Sequence, residues 1–254
     1  MQLSALTIAG FDPSGGAGIL NDIKTFHSLN IYGTGVVTAL TAQNVNKVEG
    51  VMPVDVEFIK KQIDLVLEEE KVVYAKTGML YSPEIINAIA DKVKKHDLKL
   101  VVDPVMIAGS GGLLSKNNVA QSLKKDLLPL AHLTTPNIYE AQAISGIEIK
   151  TEEDAKKAAS KIGKICNVVV TGGHLKGNDV LYHGSVKVIE GELLETGNVH
   201  GSGCTYSAAC TSYLIKGFKL EEAVIKAGIF TRKSIEYGLK GTLNQFWNCH
   251  RKII

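Results

Sequence analysis

The chain has 254 residues, of which 45% are hydrophobic and 21% charged, with 28 Lys and Arg against 26 Asp and Glu for a formal charge of +2. That composition is ordinary for a folded globular protein and excludes disorder. It also lacks the broad basic excess of a nucleic-acid binder, so any anionic ligand must be held locally.

Leu3 to Ala9 is an apolar run that predicts a buried strand, and Asp12-Pro13-Ser14-Gly15-Gly16-Ala17-Gly18 after it predicts a loop. Ile19, Ile23, Phe26 and Leu29 recur at helical spacing. Val36 to Ala42 predicts a strand, Phe58 to Leu67 a helix, and Val72 to Lys76 a strand ending at Thr77-Gly78. Ser82-Pro83 reads as N-cap and first helical residue of a helix with Ile85, Ile86, Ile89 and Val93 on its apolar stripe. Strands follow at Leu100–Val102 and Leu133–Thr135, the first ending in Asp103-Pro104 and the second in Pro136-Asn137 with a short helix through Ala143. Thr151 and Asp154 form a variant capping box. Val168 to Thr171 predicts a strand ending in Gly172-Gly173, Val180 to Glu195 a small antiparallel meander, and Gly201–Lys216 and Leu220–Leu239 two helices.

Strand and helix alternate along the whole chain, which implies one domain, residues 1–254, built on a mostly parallel sheet covered by helices on both faces. In such sheets ligands bind beyond the carboxyl ends of the strands, and Asp12, Gly78, Asp103, Asn137, Gly172 and Gly173 all follow strand ends. The four cysteines, 166, 204, 210 and 249, include no CxxC pair and no zinc-finger spacing to histidine. They are expected to be free thiols, and no secretory signal or run of about 18 apolar residues occurs. A cytoplasmic protein is the expectation.

The segment Val199-His200-Gly201-Ser202-Gly203-Cys204 places a glycine-rich loop at a helix N-terminus, a ready anion site or a plain helix entry. Cys204 is either a small packed hydrophobe or a thiol whose pKa the helix N-terminus lowers. The loop is neither a Walker A motif nor a dinucleotide fingerprint, since Tyr206 stands where the third glycine belongs. Asn137 and Glu140, three apart, offer oxygen ligands suited to Mg²⁺ or form a capping pair. Asp103 ends a strand as a site acid or a turn cap. Gln43 is a lone amide at a strand end, and Lys240-Gly241 follows the last helix.

Taken together, "LTIAGFDPSGGAGILNDIKTF", "VVTALTAQN", "AKTGML", "VVDPVM", "TPNIYEA", "TGGHL" and "HGSGCTYSAA" resemble, in order and spacing, the hydroxymethylpyrimidine and phosphomethylpyrimidine kinases of thiamine biosynthesis. The resemblance implies a ribokinase-like three-layer α/β/α sandwich. It implies transfer of the ATP γ-phosphoryl group to the hydroxymethyl of 4-amino-5-hydroxymethyl-2-methylpyrimidine, and a second transfer to the monophosphate. On the matching positions, Gln43 would bond the aminopyrimidine edge. Gly10, Ala17, Met79 and Val105 would line the ring pocket, with Asp22 near it. Gly201, Ser202, Gly203 and Cys204 would form the anion hole, with Cys204 as base. Asp103, Asn137 and Glu140 would organise Mg²⁺. Thr171 and Gly173 would lie on the nucleotide side, Thr171 replacing a usual lysine, and Lys240 would approach the phosphates. A homodimer is implied, with no nucleic-acid or membrane partner. The alternatives are pyridoxal or pyridoxine kinase activity, which Gln43 disfavours, and a non-catalytic regulator.

Overall fold

A computed structural model describes residues 2–106, 118–173 and 176–247. One nine-stranded sheet runs through the molecule: β1 (Ser4–Phe11), β2 (Tyr32–Gln43), β3 (Val48–Pro53), β4 (Tyr74–Thr77), β5 (Lys99–Val102), β6 (Ala131–Thr134), β7 (Val168–Val170), β8 (Asp179–His183) and β9 (Ser185–Ile189). Their spatial order is β3-β2-β1-β4-β5-β6-β7-β8-β9. β2 through β7 pair in parallel across the middle, and β3, β8 and β9 pair antiparallel at the edges. The helices are α1 (Gly18–Ser28), α2 (Val56–Glu69), α3 (Pro83–Lys95), α4 (Val119–Ser122), α5 (Ile138–Ser145), α6 (Glu152–Ile162), α7 (Ser202–Ile215) and α8 (Leu220–Glu236).

The three layers follow from strand alternation. Leu100 and Val102 of β5, and Val168 and Val170 of β7, face the cluster filled by α2, α3, α5 and α6. Val101 and Val169 between them face the cluster of α7 and α8. Both faces of these strands are covered, which is why they read as unbroken apolar runs rather than alternating ones. α7 lies between α1 and α8 and packs over β1, β4 and β5. Its buried face carries Ala208, Ala209, Ser207 and Thr211, small residues that let it settle close to the sheet.

The predicted caps are in place. Ser82 Oγ accepts from the Ile85 amide ahead of Pro83, and Thr151 and Asp154 close their box. Three predictions differ from the structure. β2 starts four residues before Val36, at Tyr32. β3 was missed because Gly50 and Pro53 interrupt its pattern, which an edge strand tolerates. The meander ends at Ile189 rather than Glu195. No helix of the described residues is long and apolar enough to cross a membrane.

The chain leaves β1 for β2 on one side and later returns to β4 on the other. That reversal opens a crevice outside the carboxyl ends of β1 and β4.

Candidate active site

A cavity of about 750 Å³ fills this crevice and extends past the carboxyl ends of β5, β6 and β7 to the N-terminus of α7. Thirteen of the sixteen residues singled out from the sequence stand in its wall. These are Gly10, Ala17, Gln43, Met79, Val105, Asp103, Asn137, Glu140, Thr171 and the run Gly201, Ser202, Gly203, Cys204. Gly10 packs against Met79: an added Cβ would fall 2.8 Å from Met79 Sδ and push that side chain aside. Gln43 ends β2 and its Oε1 accepts from Thr41 Oγ1 at 3.3 Å, which orients the amide at the cavity edge.

The other three lie outside the wall. Asp22 is fully buried beneath the floor. Its oxygens both lie 2.9 Å from Lys76 Nζ, and Thr7 Oγ1 donates to it at 2.5 Å. Asp22, expected near the ring pocket, therefore stands behind the cavity wall rather than in it, and on the sheet-facing side of α1 it meets its countercharge in the core. Gly173 is exposed beyond Thr171. Lys240 is exposed in a positive-φ turn that pairs Leu239 with Thr242. His174 of the "TGGHL" motif and Cys249 lie outside the described residues.

The structure adds residues the sequence did not single out. Lys76, wholly buried, also approaches Asp103 Oδ2 at 3.6 Å. Burial alone would push its ammonium pKa down, but Asp22, Cys204 and Asp103 around it hold it above its ordinary value. Burial pushes the Asp22 carboxyl up to about 6, with Lys76 opposing, so the pair is ionised at neutral pH. A lysine inside an otherwise apolar strand was the available signal, because unpaired charges are not left in cores.

Two further residues bolt the glycine loops together. His200 Nε2 lies 2.8 Å from Asp12 Oδ2, which also accepts from Ala17 N and Ser14 Oγ. Burial raises the Asp12 carboxyl, but the bonds from His200 and Ser14 outweigh it and leave the group below its usual value. Asn21 Nδ2 donates to Gly16 O at 2.6 Å and reaches Gly201 O at 3.4 Å, while its Oδ1 accepts from Thr205 Oγ1. Gly201 adopts φ 87°, and a Cβ there would lie 1.8 Å from Gly16 O.

Cys204 stands in the first turn of α7. The helix's first internal bond is Thr205 N to Gly201 O, so the amides of Gly203 and Cys204 have no partner within the helix and face the cavity end. The Ser202 amide is instead committed to Val199 O at 3.1 Å, which removes it as a donor of the expected anion hole. The expectation of a lowered thiol pKa is also corrected. Burial pushes Cys204 up to about 12, more than Lys76 pulls it down, since the helix end supplies only a partial charge against the loss of water. The charges of Asp103 and Asp22 beside it push the thiol the same way. Cys210, two turns on, is fully buried as a packed thiol.

Asn137 and Glu140 form the capping box of α5: Asn137 Oδ1 accepts from Glu140 N at 3.0 Å and Glu140 Oε2 from Asn137 N at 2.9 Å. The cap and the cavity position coexist. Glu140 is buried, and burial together with the nearby Asp103 charge raises its carboxyl well above the usual range. Asp103 is likewise raised by burial. Two buried acids held in each other's field suit a divalent cation. Among the described residues no group of three His, Cys, Asp or Glu converges as a closed metal site.

The sequence model of the phosphomethylpyrimidine kinase family matches residues 12–246. The chain is 40% identical over 240 residues to the hydroxymethylpyrimidine/phosphomethylpyrimidine kinase of Bacillus subtilis, covering 91% of this chain and 89% of that one. The crystal structure of phosphomethylpyrimidine kinase from Clostridium difficile superposes with TM-score 0.81 at 42% identity, over 92% of this chain and 99% of that one. An ADP complex of Bacillus subtilis pyridoxal kinase superposes with TM-score 0.86 at 40% identity, over 97% and 95% of the two chains.

Proposed function

The chain belongs to the phosphomethylpyrimidine kinase family and is a kinase, and on that premise we propose how its site divides the work. It transfers the γ-phosphoryl group of ATP to the hydroxymethyl of 4-amino-5-hydroxymethyl-2-methylpyrimidine, and then phosphorylates the monophosphate to the diphosphate used in thiamine biosynthesis. One observation carries this assignment. A single cavity holds an amide suited to an aminopyrimidine edge, Gln43, and a phosphoryl cradle at the start of α7.

Catalysis here is positioning and charge neutralisation. Gln43 would pair with the ring, and Gly10, Ala17, Met79 and Val105 would enclose it. The amides of Gly203 and Cys204 would receive the transferring phosphoryl oxygens. Glu140, flanked by Asn137 and with the charge of Asp103 behind it, would hold Mg²⁺ against the ATP phosphates. When bound, the cation neutralises phosphate charge. Thr171 would meet the nucleotide, and Lys240, on its turn beside the His200–Thr242 pairing, would reach in from outside the wall. Since the Cys204 thiol is protonated in the resting site, its sulfur would take the substrate's hydroxyl proton only as its own proton passes to the neighbouring Asp103 carboxylate. The substrate oxygen bonds to Pγ as the bond to the ADP oxygen breaks, and its hydroxyl proton leaves late in that step. A homodimer is the proposed assembly, tested by light scattering.

Pyridoxal kinase activity is a second reading, favoured by the 40% identity to the Bacillus subtilis pyridoxal kinase. ADP release with hydroxymethylpyrimidine, its monophosphate and pyridoxal in parallel decides between them. The pyrimidine alcohol is expected to give the highest kcat/KM, and a higher value with pyridoxal overturns the assignment.

Two glycines of the cradle separate structure from chemistry. Gly203→Ala meets no atom within 4 Å among the described residues, so its melting temperature should match that of the unaltered protein. Its kcat/KM should fall at least about tenfold, because the new methyl occupies the phosphoryl's place. Gly201→Ala instead suffers in stability, by at least the about 1–2 kcal/mol of a forced left-handed residue. Thermal melts beside steady-state kinetics read both, and equal behaviour of the two variants refutes the assignment.

A further inference from the structure

Asp179, the first residue of β8, is buried and stands outside the cavity wall, yet both its oxygens serve the site. Oδ1 accepts the Gly172 amide at 2.8 Å, and Oδ2 accepts the Tyr206 hydroxyl at 2.7 Å. Gly172 follows Thr171, which lines the cavity. Tyr206 lies two residues beyond Cys204 on α7, the helix that presents the phosphoryl cradle. One carboxylate therefore joins the cradle helix to the loop that follows β7.

The loop is fixed on its other sides as well. The Thr171 amide donates to Pro136 O at 2.9 Å, next to the Asn137 cap, and the Gly177 amide donates to Gly172 O at 3.0 Å. A Cβ on Gly172 would fall 1.8 Å from Asn178 O, so the loop lies directly against the Asn178 backbone and has no room for a side chain. Two donors converge on Asp179, and an acceptor-only side chain satisfies both at once. Removing it leaves a buried amide and a buried hydroxyl without their partner, and the tie between loop and helix is lost.

We infer that Asp179 is a positioning residue that sets the spacing between the nucleotide-side loop Thr171-Gly172 and the phosphoryl cradle of α7. The inference rests on the proposed assignment of Thr171 to the nucleotide. A residue that merely stabilised the fold would lower the melting temperature and leave the two Michaelis constants in proportion. A positioning residue for the nucleotide loop shifts one of them.

The test is steady-state kinetics with ATP and the pyrimidine alcohol varied separately. Asp179→Ala is expected to raise KM for ATP at least about tenfold while KM for the alcohol stays within about twofold. Asp179→Asn keeps an acceptor for the Gly172 amide and should restore most of the ATP affinity. Tyr206→Phe removes only one of the two donors and should move KM for ATP in the same direction by less, and it serves where the alanine variant fails to fold. Parallel rises in both constants, or unchanged constants in a less stable protein, overturn the inference. Thr171→Ala reads the underlying assignment by itself. If it leaves KM for ATP unchanged, that assignment falls and takes the inference with it. If it raises KM for ATP while the Asp179 and Tyr206 variants do not, the inference alone falls.

Discussion

Cys204→Ala is expected to lower kcat about a hundredfold, near the bottom of the range for general acid–base catalysis, with KM for the pyrimidine alcohol nearly unchanged. The modest size follows from the reaction. In a loose phosphoryl-transfer transition state the hydroxyl proton leaves late, so the base carries less of the barrier than the phosphoryl cradle does. It also follows from the site. Burial holds the thiol up to about 12, so no preformed thiolate waits at neutral pH. The sulfur can accept a proton only by giving one up, and the neighbouring Asp103 carboxylate supplies the direction. Cys204→Ser keeps a group able to receive and pass a proton and should retain more activity than alanine. Cys204→Asp sets a third carboxylate beside Asp22 and Asp103 and should be the least stable of the three. Rates of ADP release on variants with unchanged circular dichroism test the role. An alanine variant within about threefold of the unaltered kcat would remove Cys204 from the proton path.

Lys76→Met should cost about 3–5 kcal/mol of stability, the range for breaking a buried ion pair from one side. For a domain of this size the melting temperature should fall on the order of 10 °C. Lys76 is the ammonium that contacts both Asp22, at 2.9 Å to each oxygen, and Asp103, at 3.6 Å. Without it the fully buried Asp22 carboxyl keeps no countercharge, and Asp103 loses its nearest cation. Combining Lys76→Met with Asp22→Asn should recover a large part of the loss, because an amide needs no countercharge. A double variant whose loss equals the sum of the two single losses would show that the pair is not coupled.

The elements were legible where a local rule sufficed. The apolar runs at Leu3–Ala9 and Leu100–Val102, the helical spacing after Ile19, and the caps at Ser82 and Thr151 all fold as their patterns imply. β3 escaped because edge pairing relaxes the rules that a pattern search applies. At Asn137 and Glu140 two alternatives were open, capping pair or cation ligands. The structure shows the cap formed and both residues in the cavity wall, so the choice was never exclusive.

The sequence by itself determined the α/β/α class, the strand ends where ligand groups collect, and, through the order of its motifs, the kinase family. These depend on neighbours along the chain or on motif spacing, which the linear text preserves. Only the tertiary structure decided that Asp22 turns away from the ligand to Lys76, that His200 clasps Asp12 across 188 positions, and that Cys204 rests as a thiol. Each of these depends on which charges share a volume without water. Desolvation and Coulomb energy act through space, and no spacing along the chain records them.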